Sequence, residues 1–478
     1  MTATYRTNSE DNFINKNKVI NFTFNGKSYK GYEGDTLASA LIANGVHLVG
    51  RSFKYHRPRG FLGVGVEEPN AMVQLHEGDK SEPNIMATEV ELVEGLKAKS
   101  QNCWPSVKFD IGEINDLLKS FFPAGFYYKT FMWPKSFWML IYEPFIRKAA
   151  GMGVAPTKPD PDRYEHNYEH CDVLVVGSGP SGLASALAAA NNGAKVILAE
   201  DKAHFGGSLL TDNVTVGNKT GKEWAEETIS HLKNLPNVIV KNRSQVFGYY
   251  DHNMTVMFER VSDHIENPSE YTPRQRLHYI RAGEVVVSTG SIERPLSFGN
   301  NDRPGIFLSS AANEYMKIYG TLVGKKPIIF TNNDTAYKTA IEFKKNNINP
   351  VILDTRDSSS GDLVKEAESL GLDIKFNYGV ANVKGRLKIS SATIGKLSSD
   401  KESFTELQEI DCDCICMSGG WTPTVHLSSQ AGNKLKFDEK IDAFIPNTKR
   451  QKETAIGAAN GSFTLSQSLA EGFQVGFD

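Results

Sequence analysis

Hydrophobic and polar positions alternate clearly near the start of the chain. Ile20, Phe22 and Phe24 are separated by polar residues, and Asn25-Gly26 supplies the pair that a type I′ hairpin turn requires. Ser28 to Tyr32 is then the expected return strand. Asp35 or Thr36 can cap a short helix, Leu37 to Asn44, which Gly45 ends. Two strands followed by a helix predict a β-grasp module over residues 19–100. Residues 1–18 are polar, lack the apolar core of a signal peptide and are expected to be disordered. Residues 101–165 form an aromatic-rich connecting segment. Within it Ala155-Pro156-Thr157-Lys158-Pro159-Asp160-Pro161-Asp162 is too rich in proline for helix or central strand and reads as a linker.

After Cys171 the rhythm changes to strand, helix, strand. Asp172 to Val176 reads as a buried strand, Ser181 to Asn192 as an alanine-rich helix, and Lys195 to Ala199 as the next strand. That is a βαβ unit, which implies a parallel sheet. A second such unit is expected from Pro327-Ile328-Ile329-Phe330, a helix over Thr335 to Lys345, and Val351 to Asp354. The predicted class is therefore α/β: the β-grasp module, then a Rossmann dinucleotide-binding domain over 166–478 with a second Rossmann-like insert at about 322–400.

Composition narrows the function classes. At 478 residues, two or three domains are expected. A net charge of -3 gives no reason to expect nucleic acid as a partner. Five cysteines in this length argue against a disulfide scaffold and for a reducing, cytoplasmic setting. The one long greasy stretch, Ser120 to Ile146, is interrupted by Lys129, Pro134 and Lys135, too broken for a membrane span of about 20 apolar residues.

The strongest chemical signal is Gly177-Ser178-Gly179-Pro180-Ser181-Gly182, placed between the first strand and its helix. Gly177 permits the turn, Gly179 lets a pyrophosphate approach the backbone, and Gly182 lets the helix pack close to the sheet. The helix N-terminus offers N–H donors to phosphate. Glu200 ends the next strand, where a carboxylate accepts ribose hydroxyls; it repels a 2′-phosphate and so favours NAD or FAD over NADP, an exclusion that Lys202 weakens slightly.

Two later segments resemble the rest of a disulfide-reductase-type fold: Val285-Val286-Val287-Ser288-Thr289-Gly290, and Ile456-Gly457-Ala458-Ala459-Asn460-Gly461 before a helix through Leu465 and Leu469. That likeness adds Asp201, Ser208, Val246, Thr289, Gly290, Ala459, Thr464 and Ser466 to the expected cofactor contacts. The late motif of many such proteins carries an Asp at the flavin; this chain has none there, which favours NAD in this site, with FAD as the alternative. The loop of the second unit, Thr331 to Tyr337, has no glycine, so a single dinucleotide is expected.

Other candidates carry less. Arg51, Lys54, His56, Arg57 and Arg59 form a basic run, read as a loop ion-paired to Glu67 and Glu68 rather than as an anion site. Cys412, Cys414 and Cys416 alternate and would share one strand face, but at about 7 Å spacing they suit a buried core better than one zinc ion. No metal site is expected. The rings Trp104, Phe121, Phe122, Phe126, Tyr127, Tyr128, Phe131, Trp133, Phe137 and Trp138 divide evenly between an interdomain core and a subunit interface. No Ser-His-Asp or Cys-His set is legible, so catalytic residues stay unassigned.

The string Arg51-Ser52-Phe53-Lys54-Tyr55-His56-Arg57-Pro58-Arg59-Gly60, with Gly34-Asp35-Thr36-Leu37, Glu67-Glu68-Pro69-Asn70 and Gly206-Gly207-Ser208-Leu209-Leu210, resembles the alpha subunits of heterotetrameric sarcosine oxidases. The resemblance runs from about residue 18 to the end. It implies an oxidoreductase acting on CH–NH groups with oxygen as acceptor, turning sarcosine into glycine, hydrogen peroxide and a one-carbon unit. It also implies NAD in this chain, FAD or FMN and tetrahydrofolate in the assembled complex, a flavin-bearing beta subunit, and small gamma and delta subunits. The folate-handling half of such a subunit is missing, so a fragment cut inside its last Rossmann helix is expected. Cousins of the opine-dehydrogenase type hold an iron–sulfur cluster in the first module; with no cysteine between Arg51 and Glu91, the thiolates for one are absent here.

Overall fold

The computed structural model describes residues 4–121, 125 and 131–478. Two compact units emerge. One joins Met1–Pro161 to Pro295–Gly419; the other joins Asp162–Arg294 to Gly420–Asp478.

The first unit opens with the expected hairpin. Asn15–Phe24 pairs antiparallel with Lys27–Glu33, and Asn25 and Gly26 both adopt the positive φ that the type I′ turn demands. Lys97–Ser100 runs parallel to the first strand, and Met72–Leu75 and Glu82–Met86 complete a five-stranded mixed sheet. The helix Leu37–Ala43 is buried along its whole length. Thr36 caps it with Ser39 in a reciprocal capping box, typically worth about 1 kcal/mol.

Residues 4–18 do not fray as the sequence suggested. Arg6 donates to Tyr319 O at 2.7 Å and Thr321 Oγ1 at 2.8 Å and ion-pairs with the buried Asp35, while Thr7 and Ile14 are buried. Polar side chains here find internal partners, which composition alone does not reveal.

The second half of this unit is the expected second βαβ region, with wider bounds than 322–400. Its parallel sheet runs Ile306–Leu308, Cys414–Ser418, Pro327–Thr331, Val351–Asp354, Asp373–Phe376. The two strands that extend it lie outside the expected limits. A three-stranded meander, Tyr378–Lys384, Ser391–Leu397 and Phe404–Asp411, follows Asp373–Phe376 in sequence and precedes Cys414–Ser418. The β-grasp module and this region share one hydrophobic core, in which Phe22, Leu41 and Val73 belong with Phe307, Tyr315 and Phe343.

The second unit is the glycine-loop domain. Its parallel strands are ordered Val238–Lys241, Val196–Ala199, Tyr164–Val176, Gln275–Val287, with Glu453–Ala455 beyond. The first strand and its partner are thirteen residues each, far longer than the apolar core Asp172 to Val176 predicted. Residues 164–170 are polar and mostly exposed, yet their backbones pair with 275–281. The strand Gln275–Val287 is shared. Its first part pairs with Met254–Arg260 and its last with Glu453–Ala455, so the sheet divides along this strand.

Candidate functional site

The glycine loop lies where the sequence placed it. Gly177 ends the first strand at φ +97°, and a Cβ there would lie 2.4 Å from the Ser288 carbonyl oxygen. Pro180 opens the helix Pro180–Asn191, with Gly179 as its N-cap. A Cβ on Gly182 would lie 2.0 Å from Gly177 O, so only glycine lets the helix sit this close. Gly179 is different: a Cβ there meets nothing within 4 Å. The space over Gly179 at the start of a twelve-residue helix is what a pyrophosphate needs.

Glu200 follows Val196–Ala199 and is buried. Its Oε2 accepts the Ser178 N–H at 2.9 Å and the Ser178 hydroxyl, and its Oε1 accepts the Lys202 N–H at 3.1 Å. Burial and the neighbouring Asp201 carboxylate raise the Glu200 pKa. Asp201 is held at its carbonyl by Arg260 Nη2 at 2.8 Å. Ser178 Oγ also accepts from Gly206 N at 3.2 Å, and Gly207 lies against Gly179, so the segment carrying Ser208 borders the loop.

Two further predicted contributors converge here. Ser288 donates to Val176 O and Gly177 O at 2.7 and 2.8 Å, which ties the Ser288-Thr289-Gly290 turn to the loop; Thr289 Oγ1 donates to Thr424 O. Gly290 has φ +71° and open space beyond its Cα. The late motif forms a 3-10 turn over Gly457–Asn460, and a Cβ on Gly457 would lie 2.5 Å from Ser181 Oγ. Thr464 caps the final helix, Leu465–Phe477, by accepting from Gln467 N. Ala459 is buried under this turn, while Ser466 is exposed in the first turn of that helix. Val246 points its side chain into the core, leaving only its backbone to face a ligand.

One feature was not anticipated. The final helix packs on the glycine-loop helix through small residues: Cβ atoms added at Gly472 and Gly476 would lie 2.3 Å from the Ser181 and Ser185 carbonyl oxygens. Glu471 on that helix accepts the Gly457 N–H at 2.8 Å and pairs with the Ser462 hydroxyl. A Gly-x-x-x-Gly spacing facing Ser-x-x-x-Ser was the available sequence signal.

The second βαβ unit is closed by its own side chains. Asp354 ends its second strand, the position of Glu200 in the first unit, and is buried. Tyr337 Oη donates to it at 2.9 Å and Arg356 at 2.6 Å, while Arg356 also reaches Asp334 at 2.7 Å. Asp334 places a carboxylate in the loop where a pyrophosphate would lie, and a Cβ on Gly361 would lie 1.9 Å from it. These residues do not fit a second dinucleotide.

The basic run is paired, but not to Glu67 and Glu68. Arg57 holds Asp302 through Nε and Nη2, both at 2.7 Å, and Arg59 pairs with the same carboxylate. Arg51 reaches Glu113 at 3.2 Å and His56 reaches Asp110 at 2.6 Å. Glu67 and Glu68 instead bind their own loop. Glu68 Oε2 accepts from Leu62 N and Gly63 N at 2.6 and 2.7 Å, and its Oε1 from Asn70 N and Ala71 N at 2.6 and 3.2 Å. Glu67 Oε1 accepts from Val64 N and Gly65 N at 2.7 and 3.0 Å. Six backbone donors facing two side chains outcompete a distant guanidinium.

The three alternating cysteines are buried, as expected, but do not share a face. Cys414 and Cys416 belong to one core cluster, Cys412 to another with Ile415 and Met417. The meander strand ends at Asp411 and the next begins at Cys414, so the alternation breaks between them. Among the described residues, no cluster of His, Cys, Asp or Glu could hold a metal ion. No described helix is long and apolar enough to cross a membrane. Of the predicted aromatic set, Phe122, Phe126, Tyr127 and Tyr128 lie outside the described residues; Trp104, Phe121, Trp133, Phe137 and Trp138 are exposed.

Residues 17–103 match a 2Fe-2S iron–sulfur cluster binding domain. The residues present do not fit the cluster: Cys103 is the sole cysteine in the matched span, and carboxylates organise the loop Leu62 to Ala71. The chain is 44% identical over 461 residues to the sarcosine oxidase subunit alpha of Rhizobium meliloti, covering 96% of this chain and 45% of that protein. It is 32% identical to the subunit of that name from Corynebacterium sp. (strain P-1), covering 97% of this chain and 43% of that one. The chain thus spans less than half the length of these curated relatives. The crystal structure of L-proline dehydrogenase from P. horikoshii superposes with a TM-score of 0.63 at 19% identity, over 99% of this chain and 74% of that one, a likeness of fold. Residues 171–451, which carry the glycine loop, Glu200 and the Ser288-Thr289-Gly290 turn, match the pyridine nucleotide-disulphide oxidoreductases, and the chain belongs to that family.

Proposed function

We propose that this chain is the NAD-binding alpha component of a multi-subunit amine oxidase that converts sarcosine to glycine, hydrogen peroxide and a one-carbon unit. The observation that carries the reading is the pairing of open space over Gly179 with the buried Glu200 at the adjoining strand end. A dinucleotide laid there meets helix N–H groups at its pyrophosphate and a carboxylate at its ribose, and that carboxylate disfavours a 2′-phosphate. Gly177, Gly179, Pro180, Ser181, Gly182, Glu200 and Gly290 would hold it, with Asp201, Lys202, Ser208, Thr289, Ala459, Thr464 and Ser466 around them and Val246 through its backbone. The bound dinucleotide supplies hydride exchange or bracing.

The closed second βαβ unit and the carboxylate-filled first module support placing the flavin on a beta subunit, with tetrahydrofolate handled elsewhere in the complex. Gamma and delta subunits and a cytoplasmic setting complete the reading, which follows the identity to the Rhizobium meliloti subunit. The purified chain should be colourless, bind NAD in calorimetry and form no peroxide from sarcosine until a flavin-bearing partner is co-expressed. A yellow chain that turns over sarcosine unaided refutes this and makes the first site a flavin site in an autonomous oxidoreductase.

A further inference from the structure

The segment following the β-grasp module is built inside-out. Three of its acidic side chains turn inward: Asp110 is buried against His56, Glu113 pairs with Arg51, and Asp116 with Arg57. Arg51 is itself buried and donates to Val107 O at 2.8 Å, and Asn102 donates to Ser52 O at 2.6 Å. These polar ties fasten residues 102–116 to the string Arg51–Arg57. The large apolar side chains turn outward instead. Leu117 is 83% exposed, Trp133 82%, Leu140 80%, Phe121 76% and Met139 71%, with Trp104, Phe109, Met132 and Phe145 all above 60%.

Folding normally arranges the opposite, because a large apolar side chain left in water forgoes the stabilisation that its burial would give. Isolated apolar residues on a surface need no explanation, but so many within residues 104–145 mark a surface that is covered in the working state. The side-chain types agree: Trp, Phe, Met and Leu are the anchors of protein interfaces. Among the described residues of this segment, the exposed charges are basic, Lys108, Lys119, Lys135, Arg147 and Lys148, of which Arg147 is paired to the half-buried Glu143.

We infer that the outward faces of residues 104–121 and 131–148 are the docking surface for a separate protein subunit that presents an apolar patch rimmed by Asp and Glu. The charge pattern selects this occupant. A second copy of the chain would set one basic rim against another, a like-charge juxtaposition that disfavours self-association. An acidic partner gains steering and register from the same rim. The inference rests on the subunit assembly proposed above and adds which surface makes the contact and the chemistry of the partner's side.

The test uses the full chain co-expressed with the flavin-bearing partner from the same organism. Leu117→Asp and Leu140→Asp lie at exposed positions, so melting temperature should stay within a degree or two of wild type. The affinity for the partner should fall at least tenfold for each and about a hundredfold for the pair. Tyr271→Asp, equally exposed on the other unit, should leave it unchanged. Trp104, Trp133 and Trp138, three of the five tryptophans, should lose accessibility to acrylamide on complex formation. A complex that forms with unchanged affinity in the double variant overturns this inference alone. Absence of any complex with wild-type chain overturns the assembly reading as well. Self-association, or flotation with phosphatidylserine vesicles, that is lost in the double variant would give the surface to a second copy or to lipid and overturn the protein-partner assignment.

Discussion

The Glu200 carboxylate accepts the backbone N–H of Ser178 at 2.9 Å, so the acid that ends the second strand is already fastened to the loop that follows the first. Its remaining lone pairs are what a ribose can use, since a carboxylate offers about four acceptor positions. Glu200→Ala therefore removes a ribose acceptor and a brace of the loop together. Calorimetry should show NAD affinity falling about 10- to 100-fold, the range expected for losing charge-assisted hydrogen bonds.

Gly179→Val and Gly182→Ala separate binding from folding. A Cβ on Gly179 meets no protein atom within 4 Å, so the valine variant should melt near wild type yet bind no dinucleotide. A methyl group on Gly182 collides with Gly177 O and should lower stability by about 1–3 kcal/mol, read as an earlier melting transition. If both variants bind NAD like wild type, the site lies elsewhere.

Glu68 is the hub of the loop Leu62 to Ala71 in the first module. Glu68→Ala strands four backbone donors, each worth about 1–3 kcal/mol if left unsatisfied, so the first unit should unfold at markedly lower denaturant. Protein prepared without oxygen should contain no stoichiometric iron or acid-labile sulfide. Two irons per chain would contradict the carboxylate-centred loop.

His278 gives the second unit a pH signature. It is buried between Glu169 at 2.6 Å and Glu259 at 2.7 Å; desolvation opposes its charge, but the two carboxylates prevail and its pKa is raised. Burial alone would raise Glu259, yet His278, Lys241 and Arg276 pull it down to about 2. A raised histidine stabilises below its unfolded value near 6.5 and loses that contribution as pH rises through its folded pKa. A depressed carboxylate stabilises above about 4.5 and loses that contribution as pH falls toward 2. Stability of this unit should thus be greatest between about pH 5 and 6.5 and decline on either side. His278→Gln should flatten the alkaline limb of a melting-temperature profile, and an unchanged limb would assign it to other groups.

The glycine loop, Glu200 and the first βαβ unit were legible because local sequence dictates them: the turn needs glycine at Gly177, and strand, helix and acid follow at fixed spacing. The partners of Arg57 were not. Asp302 is 245 residues away, and nothing in the basic run distinguishes it from the nearer Glu67 and Glu68. The polar half of Tyr164–Val176 was missed for a related reason, since backbone pairing with Gln275–Val287 leaves no apolar period in an exposed strand. Cys412 misled because strict alternation holds only inside a strand, and the chain turns at Asp413.

The contact of Gly472 and Gly476 with Ser181 and Ser185 also bears on how the molecule is made. The glycine-loop helix is synthesised nearly three hundred residues before the helix that covers it, and all of Pro295–Gly419, which folds into the other unit, lies in between. On a ribosome adding roughly 5–20 residues per second, the loop helix therefore waits tens of seconds with one flank bare. Its alanine-rich surface is mild enough to spend that interval in water, whereas a leucine-rich one would invite aggregation. Small residues at this seam thus serve the nascent chain as well as the finished one, and the glycine-loop site closes only once Leu465–Phe477 has emerged.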